Sequence, residues 1–370
     1  MFRDALDADL PNIATMADAN ALLIPPLDQA AFVRMLRWLH EDVVIASGVR
    51  STADTAVVLT IAPRLQMVYE EEQKILAHFG AIPFAMKFGD QLLLSCFAAN
   101  IVIDESARKK ALFFPLQKHF VGLLGSLGYD FSYGLMTRPP VLKPHLAVGW
   151  KKIGELKVFA RPVAAGRIVS KLFPKLGFQR TLDYLSRPFQ WLFDAFTVKG
   201  RHHVELSEVD RFDVSYEAFL SKWTASQDIA AVRSVDALNW RFCGFAERHY
   251  KITLARRAGQ LCGYVVTRVM PMQQFLTLAV VDLVAMDSDR ETASALLNRA
   301  AALARKAKVD VLTTAFAEHY QFRSLLRRKG FIETPEKFTL VTRVPKASSL
   351  ELDASIFKRW FINWFDHDFV

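Results

Sequence analysis

Three consecutive cations, Arg108, Lys109 and Lys110, stand between a run of apolar residues and a helical pattern. The run LLLSCFAANIVI before them is typical of a buried strand. After them, apolar residues recur at helical spacing, which predicts a helix with one buried face. The start of a helix carries unpaired amide donors and about half a positive charge. A strand, a basic loop and a helix in this order could therefore bind a phosphate group, or the cations could be only a solvated helix start.

The whole chain is basic and rich in apolar residues. It has 370 residues, of which 47 are Lys or Arg and 38 are Asp or Glu, so its formal net charge is +9. This charge favours an anionic partner, which could be nucleic acid, an anionic membrane or a phosphorylated cofactor. The apolar fraction of 52% excludes a largely disordered chain, and the length favours two domains.

The cysteines and the N-terminus bear on the cellular compartment. Cys96, Cys243 and Cys262 are far apart, which favours reduced thiols over disulfides. No spacing of zinc ligands occurs, so we expect no metal site. The sequence starts without a signal-peptide pattern, and no apolar run reaches the roughly 18 residues that a membrane-spanning helix needs. We therefore expect a cytoplasmic protein.

Strands and helices are predicted to follow the same order in both halves of the chain. In the first half, a hairpin ending in QLLLSCFAANIVID precedes a helix that ends near Gly128 and then the strand YDFSYGL. In the second half, strands ending in FLTLAVVDLVAM precede a long helix and the strand VDVLTTAF. The stretch MVYEEEQKILAHFG has helical spacing and is predicted to be a helix. Alternating strands and helices indicate an α/β or α+β fold.

The quoted residues resemble a known family. The stretch FAANIVIDESARKKALFFPLQKHF, with GYDFSYGL and LAVGWKKIG after it, resembles the acyl-CoA-binding core of the GNAT acyltransferase superfamily. In the second half, the segment around Asn239-Trp240-Arg241-Phe242 and the closing LLRRKGFIE are similar to bacterial two-domain GNAT-like proteins. The resemblance covers residues 1–345 and implies two tandem GNAT-like domains, each a mixed, mostly antiparallel sheet flanked by helices.

These patterns divide the chain into four parts. We expect an N-terminal GNAT-like domain over 1–164, a basic and aromatic helical connector over 165–200, a C-terminal GNAT-like domain over 201–345 and an aromatic tail over 346–370. The connector could lie on an anionic membrane or dock as a helix between the domains, and docking is favoured. The tail is too apolar to stay in water, so we expect it to pack on a domain.

The resemblance implies acetyl-CoA or another acyl-CoA as cofactor. The cradle for the pantetheine arm would be the backbone of Asn100, Ile101, Val102 and Ile103, and the phosphates would bind at Arg108, Lys109, Lys110, Ala111 and Leu112. The family places glycines where Lys109 and Ala111 stand. In the second half, Asp287, Asp289 and Glu291 crowd the matching helix start and would repel a pyrophosphate. The first half is therefore the predicted acyl-CoA site.

Catalytic candidates also follow from the resemblance. Family members use a carboxylate or a water to deprotonate the amine, and often a Tyr on the last helix to protonate the leaving thiolate. The residue at the position of that Tyr in the first half is His145, and Tyr133 and Asp104 lie near it in the order of the motifs. His145 could serve as the acid because its pKa is ordinarily near neutrality.

The function predicted from the sequence is an acyl-CoA-dependent N-acyltransferase, foremost an N-acetyltransferase, that acts on a primary amine of a small molecule or saccharide. One alternative is a degenerate GNAT-fold binding or scaffold protein. Another is an aminoacyl transferase of the peptidoglycan-bridge type, in which the basic charge would contact tRNA. Nucleic acid is not favoured as a partner, since the long helical hairpin of some such enzymes is missing. Peripheral membrane contact and the oligomeric state stay open.

Overall fold

A computed structural model describes residues 1–20, 28–41, 44–48, 57–61, 65–137, 139–173, 179–198, 203–286, 289–317, 319–346 and 348–367. Its strands are β1 (Phe2–Asp4), β2 (Val44–Gly48), β3 (Val57–Ile61), β4 (Gln66–Glu71), β5 (Lys74–Phe88), β6 (Gln91–Ile103), β7 (Phe131–Met136), β8 (Lys151–Pro162), β9 (Glu205–Val209), β10 (Ile229–Ala231), β11 (Lys251–Arg257), β12 (Gln260–Met272), β13 (Phe275–Ala285), β14 (Val311–Ala317), β15 (Ile332–Arg343) and β16 (Trp360–Phe361). Its helices are α1 (Leu10–Ala19), α2 (Gln29–Glu41), α3 (Phe113–Ser126), α4 (Pro139–Ala147), α5 (Ala165–Leu172), α6 (Gln179–Thr197), α7 (Glu217–Ser226), α8 (Val235–Cys243), α9 (Arg290–Lys306) and α10 (Arg323–Arg328).

The chain forms two compact units, and neither is continuous in sequence. The first unit contains residues 1–155, 224–247 and 338–361, and the second contains 156–223, 248–337 and 362–370. This division does not follow the predicted boundaries at 164, 200 and 345, because segments of each half of the sequence complete the other unit.

The first unit is built on a mixed sheet in which β1, β4, β5, β6, β7 and the second half of β15 follow one another. β6 and β7 are parallel, and the other pairs along this path are antiparallel. The apolar face of α3 packs on the sheet, with Leu116, Phe120 and Leu124 fully buried against residues such as Phe79 and Cys96. The helix forms here because these residues recur at helical spacing, as the sequence predicts.

The second unit repeats this strand order. β9, β11, β12, β13, β14 and the later part of β8 follow one another, and β13 and β14 are the parallel pair. α9 packs on this sheet, and it connects the parallel strands β13 and β14 as α3 connects β6 and β7 in the first unit. Both units therefore contain the same order of strand, loop, helix and parallel strand. The predicted α/β (α+β) class, with mixed sheets flanked by helices, is confirmed.

One predicted helix is wrong. Residues 67–80 fall in β4, a two-residue turn and the start of β5. The turn residues Glu72 and Gln73 have φ of 50° and 62°, the left-handed values that a tight hairpin of this kind requires. Such turns usually contain Asn or Gly, and this one contains neither, so its residue types do not indicate a hairpin.

Helices α5 and α6 cover most of the predicted connector, and both lie in the second unit. Residues 174–178 and 199–200 of the connector lie outside the described residues, as do 347 and 368–370 of the predicted tail. Within the part of the chain that the structure describes, no helix is both long and apolar enough to cross a membrane. The same part holds no cluster of three side chains that could bind a metal ion.

Candidate functional site

The parallel strands β6 and β7 separate from each other in the first unit. They pair only where Ser95, Cys96 and Phe97 stand beside Phe131, Ser132 and Tyr133. Beyond Phe97, β6 continues to Ile103 paired with β5 alone, and β7 continues paired with β15. Two neighbouring strands that part in this way leave backbone groups on their facing edges without a ladder partner. We call this opening the first V; its vertex is at Phe97 and Tyr133.

A bulge lies on the β6 side of the first V. The register between β5 and β6 shifts between His78 and Gly80, and Asn100 has a φ of 53°. The Nδ1 of the fully buried His78 donates to the carbonyl oxygen of Asn100 at 2.7 Å, which holds the bulge in place. The Asn100 Nδ2 is buried and has no hydrogen-bond partner among the described residues. The predicted cradle residues 100–103 therefore stand on the edge of the opening, with one polar atom left to pair.

The loop after β6 is a short right-handed 3-10 turn over Glu105–Lys110. Asp104 begins it, because its Oδ1 accepts from the Ser106 amide at 2.9 Å. The hydrogen bonds from Ser106, together with nearby Lys74, keep the pKa of Asp104 below its usual value. Asp104 is therefore a carboxylate that shapes the loop.

The loop ends in a conformation that can bind anions. Lys110 closes the right-handed turn, and Ala111 follows in the left-handed region with a φ of 50° and a ψ of 35°. A right-handed residue followed by a left-handed one turns successive N–H groups toward one concave point, which suits a phosphate. Ala111 thus adopts the backbone shape for which the family uses glycine, at the cost of about 1 to 2 kcal/mol of local strain.

The start of α3 adds to this arrangement. Its N-cap is Leu112, which offers no side-chain cap, and its first turn holds no acidic residue. Its leading amides are therefore not satisfied by a side chain of the cap, although Pro115 removes one donor. The helix dipole and these amides favour an anion at this point.

The three predicted cations differ in their contacts. Arg108 donates to the Asn20 Oδ1 at 2.7 Å and lies 3.4 Å from Glu105, and Lys110 pairs with Glu71, which raises the pKa of Lys110. Lys109 makes no ion pair among the described residues. All three side chains are exposed, and ion pairs in water hold weakly, so these contacts would not prevent binding of an anion.

His145 lies in the core of the first unit. Its Nδ1 donates to the Val141 carbonyl at 2.7 Å, and its Nε2 accepts from the Gln117 side chain at 3.4 Å. The Gln117 Oε1 accepts in turn from Trp150 at 2.9 Å. Burial lowers the pKa of His145, so the ring is neutral at neutral pH. These contacts tie α4 to α3, and they favour a structural role over the predicted acid role.

Tyr133 stands at the vertex of the first V. It is the last residue of β7 that pairs with β6, and it is fully buried. Its ring contacts the rings of Phe84, Phe97, Phe131 and Trp360. Of the three predicted catalytic residues, it is the one placed where the two strands part.

The second unit has a corresponding opening, the second V, with its own vertex. β13 and β14 pair only over 277–279 and 311–313. Beyond that point Asn363 stands between the strands: its side chain donates to the Asp282 Oδ1 at 2.8 Å, and its backbone bridges to Phe316. Asp282 also accepts from the Tyr264 hydroxyl at 2.8 Å. Residues of the C-terminal tail therefore fill the second V, which no motif in the sequence indicates.

The helix start beside the second V is also occupied. The Asp289 Oδ1 caps α9 by accepting from the Thr292 amide at 3.0 Å. Arg257 pairs with Asp289 at 3.1 Å and with Glu291 at 3.3 Å. Partial burial opposes ionisation, but the hydrogen bonds from Arg257 and Thr292 outweigh it, so the pKa of Asp289 is lowered. Asp287 lies outside the described residues.

A comparison with solved structures identifies the fold. The chain is similar to a GCN5-related N-acetyltransferase from Anabaena variabilis ATCC 29413, with a TM-score of 0.61 and 10% identity over 94% of this chain and 73% of that chain. A GCN5-related N-acetyltransferase from Kribbella flavida gives a TM-score of 0.59 and 12% identity over 93% and 70%. A conserved protein from Enterococcus faecalis V583, described as a probable N-acyltransferase, gives 0.58 and 10% over 94% and 72%.

No family model and no curated protein matches this chain. The chain has the fold of the GCN5-related N-acetyltransferases, as the resemblance in its sequence implies. At 10–12% identity the likeness establishes the fold, and the chemistry must be argued from the two openings.

Proposed function

We propose that this chain is an acyl-CoA-dependent N-acyltransferase whose first unit binds acyl-CoA. The observation that carries the proposal is a combination that, among the described residues, we find in the first unit and not in the second: a V between parallel strands, a turn whose shape suits an anion, and a helix start without a side-chain cap. The structural neighbours described as N-acetyltransferases support transfer to nitrogen.

The residues of the first V fit this cofactor. The bulge at Asn100 and the backbone up to Ile103 would hold the pantetheine amides, and the buried Asn100 Nδ2 would gain a partner. The backbone around Ala111 and Leu112 would hold the pyrophosphate, with the exposed Arg108, Lys109 and Lys110 adding positive charge. Acetyl-CoA or another acyl-CoA would supply a thioester that an amine can attack.

The acyl end of the site would lie toward the vertex, and we assign Tyr133 to it. A hydroxyl at this point can donate a proton to a leaving sulfur or position the acceptor amine. His145 and Asp104 act on the site through structure, since one ties α4 to α3 and the other begins the loop. The acceptor that we propose is a primary amine of a small molecule or saccharide.

Two substitutions at Ala111 test the cofactor site. Valine in the left-handed region is strained by its branched Cβ, so Ala111→Val should distort the turn and weaken acetyl-CoA binding about tenfold to a hundredfold. Ala111→Gly relieves the strain and should bind as well as the natural protein or better. Calorimetry of the full-length chain with acetyl-CoA measures both. Equal affinity in the two variants would contradict the assignment of this turn.

A pair of tyrosine variants tests the vertex. Tyr133→Phe should lower kcat for acetyl transfer to an amine about a hundredfold while leaving acetyl-CoA affinity unchanged. Tyr129→Phe is the matched control, because Tyr129 is also buried in the first unit but belongs to the core beside α3. Acetyl-CoA binding without transfer to any amine would favour a binding or scaffold role over catalysis.

A further inference from the structure

Several apolar side chains of α5 and of the C-terminal end of α6 are exposed to solvent. On α5, Val169, Leu172 and the residue after the helix, Phe173, follow one another at helical spacing and are exposed. On α6, Trp191, Leu192 and Phe196 do the same, and Trp191 is 73% and Phe196 66% exposed. An amphipathic helix of a water-soluble domain normally buries its apolar stripe. In α5 and in the described end of α6, these apolar stripes face solvent instead.

The polar side of α5 attaches it to the second unit. Arg167 and Lys171 both pair with the buried carboxylate of Asp310, at 2.9 and 2.6 Å. Arg167 also donates to the carbonyl oxygens of Lys308 and Val309 at 2.7 Å. Rotating α5 to hide its apolar stripe would leave Asp310 buried without these partners, which costs several kcal/mol.

The polar side of α6 is attached in the same way. Asp194 accepts from the buried Arg161 at 2.5 Å, and the Thr197 hydroxyl accepts from the same guanidinium at 3.0 Å. Between them, Phe193 lies under Arg161 and against Gly330, where a Cβ atom would come within 2.3 Å of its ring. Buried polar contacts therefore fix both helices with their apolar stripes outward.

Cations lie on the segments that α5 and α6 contact. Lys308 supplies one of the carbonyl oxygens that Arg167 binds, and Lys306 lies two residues before it. Arg327 and Arg328 end α10, just before the Gly330 that Phe193 contacts. All four side chains are exposed, and none forms an ion pair among the residues that the structure describes. We call the two apolar stripes and these four cations the hairpin surface.

We propose that the hairpin surface lies on an anionic lipid membrane. Its aromatic and aliphatic side chains would enter the boundary between headgroups and acyl chains, and the four cations would contact the headgroups. A second copy of the chain is a poorer occupant, because a two-fold contact would bring the same cations face to face. This proposal goes beyond acyl transfer, since it concerns binding of the protein to a membrane surface.

The contact between the hairpin surface and a membrane can be measured through the fluorescence of Trp191. The chain has seven tryptophans, and the other six are buried or half-buried. With the full-length chain and vesicles of phosphatidylcholine and phosphatidylglycerol in equal amounts, brominated acyl chains should quench Trp191 fluorescence. Vesicles of phosphatidylcholine alone should bind at least tenfold more weakly, since each cation near an anionic surface contributes about fivefold.

Matched variants separate the two parts of the surface. The double variant Trp191→Ser with Phe196→Ser should lower binding to anionic vesicles about tenfold or more, whereas Val214→Ser, an exposed apolar residue of another element, should not change it. Arg327→Gln with Arg328→Gln should weaken binding to anionic vesicles but not to neutral ones. Lys222→Gln with Lys251→Gln removes the same charge elsewhere and should leave binding unchanged. Thermal unfolding shows that each variant is folded.

Three results would overturn the proposal: no binding to anionic vesicles, equal binding to neutral and anionic vesicles, or unchanged binding of the Trp191→Ser, Phe196→Ser variant. If vesicles do not bind and the chain forms a dimer that this double variant abolishes, the hairpin surface is an interface between copies. Acetyl-CoA binding is measured separately, so failure of the membrane proposal is distinguishable from failure of the proposed function.

Discussion

The two V-shaped openings lie in sheets with the same strand order, but they differ in the residues around them. In the first, the described strands β6 and β7 part at Tyr133, and a turn with the left-handed Ala111 leads into a helix without a side-chain cap. In the second, Asn363 bridges the strands and Asp289 caps the helix with its own carboxylate. The opening that we propose for a ligand and the opening filled by the chain therefore differ in a few side chains, while the strand order around them is the same.

The largest effect is expected from the contact that fills the second V. Asn363→Ala removes the hydrogen bond to the buried Asp282 and should lower the free energy of unfolding by about 2 to 3 kcal/mol. Chemical denaturation measures it. Ser324→Ala, which removes an exposed contact in the same unit, should change stability by less than about 0.5 kcal/mol. A loss no larger than this control would show that Asn363 does not hold the opening.

The sequence predicts the fold better than it predicts the two openings. Apolar spacing was enough to place α3, α9 and the strands around them, since these elements depend on residues close together in the chain. Asn363 is remote in sequence from Asp282, so no local pattern indicates that the tail fills the second V. The left-handed conformation of Ala111 and the burial of His145 could not be predicted from the sequence either, because both depend on how distant elements pack together.

The next effect concerns His145 beside the first V. His145→Leu leaves the Gln117 side chain without this partner, and should cost about 1 to 3 kcal/mol of stability at pH 7. Because the pKa of His145 is lowered from 6.5 on folding, stability should fall as pH drops below 6.5 in the natural protein. The variant should lack this part of the slope in unfolding measured against pH. If His145 were the acid, transfer per folded molecule would also drop about a hundredfold.

A smaller effect is expected from the cap of α9. Asp289→Ala should cost about 1 kcal/mol at neutral pH, because Thr292 loses its acceptor. The lowered pKa of Asp289 means that this stability is present above pH 3.8, the ordinary value, and is lost as pH falls through the folded pKa. The curves of variant and natural protein should therefore converge in acid. Parallel curves down to low pH would contradict the role of the carboxylate.

The smallest effect is expected at the turn of the first V. Ala111→Gly should raise the free energy of unfolding by up to about 1 kcal/mol, since glycine adopts the left-handed conformation without strain. Ala258→Gly is the matched control, because Ala258 also has a positive φ, of 49°, in a hairpin of the second unit. Both should be stabilised alike, and only substitutions at Ala111 should alter acetyl-CoA affinity. A change in acetyl-CoA affinity caused by Ala258→Gly would contradict the assignment of the cofactor site to the first V.

We propose that the first V binds acyl-CoA and that the second V does not. The stoichiometry of acetyl-CoA binding to the full-length chain, measured by calorimetry, tests this directly. We expect one acetyl-CoA per chain and a large loss of affinity in Ala111→Val. No binding, two molecules per chain, or binding that Ala111→Val leaves unchanged would contradict it.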